Sequence, residues 1–134
     1  MFGRNQPARP EIDSLIGIAA RIEGDLVFSG GLRIDGEVCG NVIAEDGPDH
    51  LLVVSEHARI EGLVRCATVV VNGTIAGSVQ ASEVLELQAK ARIVGDVLYK
   101  VLQMQGGAVV TGVLKHQPDN FEQFHIRPPQ ASAA

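Results

Sequence analysis

Large aromatic rings are nearly missing from this chain, whose 134 residues hold no tryptophan, one tyrosine and four phenylalanines. Phe2, Phe121 and Phe124 lie near the ends, so only Phe28 and Tyr99 serve the middle. A two-sheet sandwich fills a gap of about 10 Å largely with such rings, and their scarcity disfavours it. A narrow bore of stacked Val, Ile, Leu and Ala needs none. Positive charge is also short: 11 Lys and Arg against 16 Asp and Glu leave a net charge of -5. With no basic stripe to neutralise phosphates, nucleic acid is not an expected partner. Cys39 and Cys66 are too few for a disulfide framework and lack metal-site spacing, which suits small half-buried residues of a cytosolic protein. No apolar run reaches transmembrane length, and no secretory signal pattern is present. Proline is kept to the flanks, at 7 and 10, then 118, 128 and 129, with only Pro48 between. A strand ladder has no use for a residue without an N–H, so the stretch between the flanks reads as continuous sheet.

What fills that stretch is a repeat. A branched aliphatic, any residue, then glycine occurs at Ile22-Glu23-Gly24, Ile34-Asp35-Gly36, Ile60-Glu61-Gly62, Val71-Asn72-Gly73, Ile93-Val94-Gly95 and Val110-Thr111-Gly112. Two residues beyond each glycine stands another aliphatic: Leu26, Val38, Val64, Ile75, Val97 and Leu114. Alternation with period two means strand, and a glycine at a fixed offset means a bend with no room for a side chain. The expected fold is therefore all-β, a parallel β-helix. Its body is placed at 14–116, between a flexible N-terminal tail at 1–13 and a C-terminal tail at 117–134 that lacks periodicity and has the composition of a disordered segment.

The period can be counted. Ala91-Arg92-Ile93-Val94-Gly95 returns as Ala108-Val109-Val110-Thr111-Gly112 after 17 residues, and Ala58-Arg59-Ile60-Glu61-Gly62 lies 33 before Ala91. One coil thus takes about 17 residues, or three faces joined by bends, and the body makes about six coils. A polar insert, Glu45-Asp46-Gly47-Pro48-Asp49-His50, reads as a protruding loop. Inward positions include Ile22, Leu26, Ile34, Val38, Val54, Ile60, Val69, Val71, Ile75, Leu87, Ile93, Val97, Met104 and Val110. Arg21, Glu23, Asp35, Arg59, Glu61, Arg92 and Asp96 fall outward between them, where charge guards against lateral sticking.

Chemistry-bearing constellations are absent from the pattern. His50 and His57 flank the insert region, and His116 and His125 lie toward the C-terminal end, which suits solvated loops better than metal ligands. Acidic residues are spread along outward positions rather than paired. No Gly-rich loop ends in Gly-Lys-Ser/Thr, so no nucleotide site is expected. Threonine occurs only at 68, 74 and 111, too few for the Thr ranks of an ice-binding solenoid. The rival from another class is the left-handed β-helix of hexapeptide-repeat acyltransferases and their metal-dependent relatives, whose 18-residue coils fit less well than 17-residue steps. No enzyme, cofactor or metal is expected.

Runs such as Gly31-Leu32-Arg33-Ile34-Asp35-Gly36-Glu37-Val38-Cys39-Gly40-Asn41-Val42 and Val71-Asn72-Gly73-Thr74-Ile75-Ala76-Gly77-Ser78-Val79, with Met1-Phe2-Gly3-Arg4 at the start, resemble the bactofilins, polymer-forming bacterial cytoskeletal proteins. The resemblance spans residues 14–116. It implies a right-handed three-faced β-helix whose subunits join head to head and tail to tail into nonpolar filaments without nucleotide. It also implies a cytoplasmic scaffold at the inner face of the cytoplasmic membrane, recruiting wall-modifying or other scaffolded proteins. Members that bind this membrane often begin with Met-Phe and a nearby basic residue, which makes Met1, Phe2, Arg4 and Arg9 the expected tether. Where many members carry a phenylalanine in the last coil, this chain has Val110.

The body shows no amphipathic helix at either boundary to cap it. Open tips expose unpaired strand groups and an apolar bore, so end-on stacking is expected. The junction residues expected are Leu15, Ile16, Ile18 and Phe28 at the first end, and Leu102, Met104, Val110 and Leu114 at the other.

Overall fold

A computed structural model describes residues 12–117. Its fifteen strands form six coils. The first holds β1 (Ile12–Ile16), β2 (Arg21–Glu23) and β3 (Leu26–Phe28), and the second β4 (Gly31–Ile34), β5 (Glu37–Cys39) and β6 (Val42–Ala44). The third holds β7 (Leu51–Val54), β8 (Arg59–Glu61) and the first half of β9 (Val64–Val71). From there strands turn the third corner without breaking. The fourth coil uses the rest of β9, then β10 (Thr74–Ala76) and the start of β11 (Val79–Leu87). The fifth uses the rest of β11, β12 (Arg92–Val94) and the start of β13 (Val97–Met104). The sixth uses the rest of β13, then β14 (Val109–Thr111) and β15 (Leu114–His116).

All pairings are parallel, coil upon coil. The first face stacks β1, β4, β7 and the second halves of β9, β11 and β13. The second stacks β2, β5, β8, β10, β12 and β14 as a separate six-stranded sheet. The third stacks β3, β6, the first halves of β9, β11 and β13, and β15. The chain is thus a three-faced parallel β-solenoid. At about 4.8 Å per step, six coils span roughly 24 Å between the outermost strands.

Register explains why the sequence folds this way. Ile22, Val38, Ile60, Ile75, Ile93 and Val110 form one inward column on the second face. Leu26, Val42, Val64, Val79, Val97 and Leu114 form its counterpart on the third. Like branched side chains stacked at strand spacing interdigitate in their preferred rotamers. The buried core they build contains no polar or charged residue. At the third corner a column of small residues, Ala44, Cys66 and Ala81, is bracketed by Phe28 in the first coil and Tyr99 in the fifth. The few rings of the body therefore sit near the ends of the rod.

The corners set the coil lengths. At the second corner Gly24, Gly40, Gly62, Gly77, Gly95 and Gly112 stack with positive φ. A Cβ on any of the last five would collide with the carbonyl of the glycine one coil below. At the first corner the loops, at residues 17–20, 35–36, 55–58, 72–73, 88–91 and 105–108, are four residues long except in the second and fourth coils, where they are two. Each four-residue loop closes on itself, for instance through Ala58 N–H to the Ser55 carbonyl at 3.0 Å. The two short loops carry Gly36 and Gly73, which tuck against the carbonyls of the longer loop below. Partner spacing on the second face is consequently uneven, at 16, 22, 15, 18 and 17 residues. The regular 17-residue step read from sequence is thus an average, and the 22 reflects the 45–50 insert.

Candidate polymerisation interface

Among the described residues, both tips of the rod are open. β1, β2 and β3 pair only with the second coil, while β14, β15 and the second half of β13 pair only with the fifth. Each therefore presents a row of backbone donors and acceptors along the rod axis, the geometry that templates strand addition. No helix occurs among the described residues to cover them. The inward columns run out to the same tips. Leu87 is fully shielded, whereas Met104, its register partner in the last coil, is 47% exposed. Val97 and Leu114 repeat the contrast on the third face, at 1% and 41%.

All four last-end candidates, Leu102, Met104, Val110 and Leu114, lie in inward register columns of the sixth coil. At the first end the structure divides the set. Ile16 and Phe28 occupy inward columns, in register with Ile34 and Ala44. Leu15 pairs with the exposed Arg33 and points outward, and Ile18 stands in the first-corner loop. Ile22 and Leu26 complete the apolar tip, half-buried in inward columns of the first coil. Their inward phase was legible from alternation. Their place in the outermost coil leaves them without a neighbour on one side. Met1, Phe2, Arg4 and Arg9 lie outside the described residues, as do the C-terminal tail beyond Gln117 and His125.

Elsewhere polar groups serve the fold. His50 Nδ1 accepts the Gly30 N–H at 2.8 Å, which leaves the proton on Nε2 to point at the Asp46 carbonyl and pins the insert against the second coil. Asp25, Asn41 and Asp96 side chains accept backbone N–H groups one coil on, at 2.9–3.1 Å. Burial pushes the Cys66 thiol up to about 11, the environment of an inert packing residue rather than a nucleophile. Among the described residues no three His, Cys, Asp or Glu side chains converge as metal ligands, and no helix is long and apolar enough to cross a membrane.

A lateral concavity of about 740 Å³ lies where the short second-coil corner recedes between its longer neighbours. Leu15, Ile18, Val53 and Val70 supply its apolar lining, with Arg33, Asp35, Glu56 and His57 around it. The Arg33–Asp35 pair, at 2.9 Å, draws the guanidinium toward the corner.

A parallel solenoid with apolar, unpaired tips belongs to the class of self-assembling β-solenoids. The chain is a member of the bactofilin family, whose model, described as polymer-forming cytoskeletal, matches residues 14–115. Among solved structures it is similar to the bactofilin of Thermus thermophilus, reconstructed by cryo-EM as double helical filaments. The TM-score is 0.65 at 26% identity, over 75% of this chain and 96% of that one. No curated protein matches. This is a polymer-forming protein of a cytoskeletal family.

Proposed function

We propose that this chain is a bacterial cytoskeletal scaffold whose rods join tip to tip, first end to first end and last end to last end, into nonpolar filaments that need no nucleotide. The observation that carries the reading is the run of inward columns to two tips that no other described residue covers, where Met104 and Leu114 are exposed while Leu87 and Val97 one coil below are not. Each junction adds strand hydrogen bonds and seals the apolar bore, so association continues the fold. The segment 1–9 tethers the filament at the inner face of the cytoplasmic membrane, with Phe2 and Met1 entering the interface and Arg4 and Arg9 facing anionic headgroups. One such segment binds weakly, at about 1 kcal/mol per basic residue plus a few kcal/mol for the apolar pair. A filament multiplies it. On this surface the scaffold recruits partners that shape the envelope. Negative-stain microscopy and sedimentation of the purified chain in nucleotide-free buffer test the core of the reading. Filaments are expected, and a monomer at every concentration would overturn it.

A further inference from the structure

The outward positions of the first face depart from the charged cover found on the second, where Arg21 reaches Glu37 at 3.3 Å and Arg59 reaches Glu61 at 2.9 Å. On the first face Leu15, Val53 and Val70 share one outward register column with Arg33. Together with Ile18 they make one apolar floor, the lining of the lateral concavity. Leu15 and Ile18 are 61% and 65% exposed. Four aliphatic side chains on one floor are costly to leave in water. The fourth coil shows how a recess of this kind is closed. Across its short corner Lys90 of the fifth coil reaches Glu56 of the third, at 3.0 Å. Over the short corner of the second coil, the first coil presents Ile18 and Ala19, which can form no ion pair. Among the described residues, that recess is left unbridged.

We propose that its occupant is the chain's own N-terminal segment, with Phe2 laid over Val53 and Val70 and Arg4 at the rim beside Asp35 and Glu56. Reach, composition and charge select it. Ile12 opens β1 three residues before Leu15, in the first coil and on the face that carries the concavity. Val70 lies three strand steps from Leu15, so the gap from Ile12 is roughly 18 Å, whereas the chain from Phe2 to Ile12 extends to about 33 Å. The C-terminal segment starts instead beyond the third face of the sixth coil. Residues 1–10 hold Met1, Phe2, Arg4 and Arg9 and no acid, so the remaining chain has 9 of the 11 basic residues and all 16 acids. Asp35 and Glu56 already pair with Arg33 and Lys90. A carboxylate accepts at about four positions, however, and can take a second cation. The same carboxylates make the concavity a poor seat for anionic lipid. A tether this short gives an effective concentration in roughly the millimolar range, so a contact too weak for a free peptide is occupied within one chain. The segment then has two destinations, the concavity and the membrane, and filling one empties the other. Only that competition rests on the tethering reading; the docking does not.

The test is photocrosslinking of the full chain carrying Phe2→benzoylphenylalanine, refolded as a mixture of isotopically light and heavy copies and mapped by mass spectrometry. Crosslinks within one chain to residues 15–18, 53–57 or 70 are expected, as is their loss when vesicles of anionic phospholipid are added. Leu15→Gln combined with Ile18→Gln changes exposed positions without adding charge. The double variant is expected to cut crosslinking at least about fivefold and to lower the lipid concentration for half-maximal vesicle binding about threefold, because the segment is no longer held back. Crosslinks scattered over the rod, or none, overturn the proposal. So do crosslinks joining light to heavy copies, which would make the occupant a second chain. A double variant that binds vesicles more weakly also overturns it, by placing the floor against the membrane. A crosslink into the concavity that vesicles do not displace leaves the docking standing and brings down the tethering reading instead.

Discussion

The carbonyl of Gly77 occupies the space that a side chain on Gly95 would need, and Gly95 itself holds φ at +150°. Neither neighbour can retreat, because the same approach recurs one coil above, between Gly95 and Gly112. Gly95→Ala is therefore expected to cost about 3 kcal/mol or more, combining a backbone clash with a conformation that L-residues avoid. Gly106 is the control. A Cβ there meets nothing within 4 Å, so Gly106→Ala is expected to stay within about 1 kcal/mol of the parent. Denaturant melts of both, in a background blocked for assembly so that polymer does not add stability, check the contrast.

Cys66 gives a pH prediction with a definite sign. Burial holds the folded-state thiol near 11, above its ordinary value of 9.0. Folding thus favours the neutral form. The stabilisation is fully present below about pH 9 and is lost as pH rises from there toward 11. At pH 8 only about one Cys66 in a thousand is a thiolate, and the residue is 3% exposed. Alkylation by iodoacetamide at pH 8 is expected to spare Cys66 in the native protein and to modify it after unfolding, as peptide mass spectrometry would report. A Cys66→Ala variant should lose less stability between pH 9 and 11 than the wild type.

Much of this architecture was legible because period-two alternation and stacked glycines are local signals. The limit is set by two corners that look alike in sequence. Gly24, Gly62, Gly95 and Gly112 belong to the second corner, whereas Gly36 and Gly73 make the short loops of the first. The true second-corner members of those coils are Gly40 and Gly77, inside Val38-Cys39-Gly40 and Ile75-Ala76-Gly77. Both corners follow an inward aliphatic, so aliphatic-x-glycine cannot separate them. The first tip was harder for another reason. The register shifts between Ile12 and Ser14, which sets the phase of β1 and turns Leu15 outward beside Arg33. Adjacent Leu15 and Ile16 give alternation no means of choosing which one enters the bore.

Removal of residues 2–8 separates anchoring from assembly. The chain enters the described rod at Ile12, in the first coil, so the deletion leaves every coil intact. Filaments are expected to form as before. Their co-sedimentation with liposomes containing anionic lipid is expected to fall at least about tenfold, since Phe2 and Arg4 are both lost. Phe2→Ala should reproduce part of the loss at high salt, where the charge contribution is screened. Binding unchanged by the deletion would place the membrane contact elsewhere on the rod.

Blocking one tip at a time reveals how the rods are joined. Val110 and Leu114 stand in inward columns of the last coil, open on the side away from the fifth. Val110→Arg or Leu114→Arg puts a charge into a junction that would otherwise be dry, with no opposite partner for it there. The fold should survive, because each side chain can bend outward from the tip of an isolated rod. If like tips meet like, the first-end junction remains usable and the variants should run as dimers in analytical ultracentrifugation. Adding Leu26→Arg at the first tip should then reduce them to monomers. Head-to-tail joining gives a different result. Every junction would then contain one last end, and either single variant would already be a monomer. Long filaments from both single variants would show that neither residue lies in a junction at all.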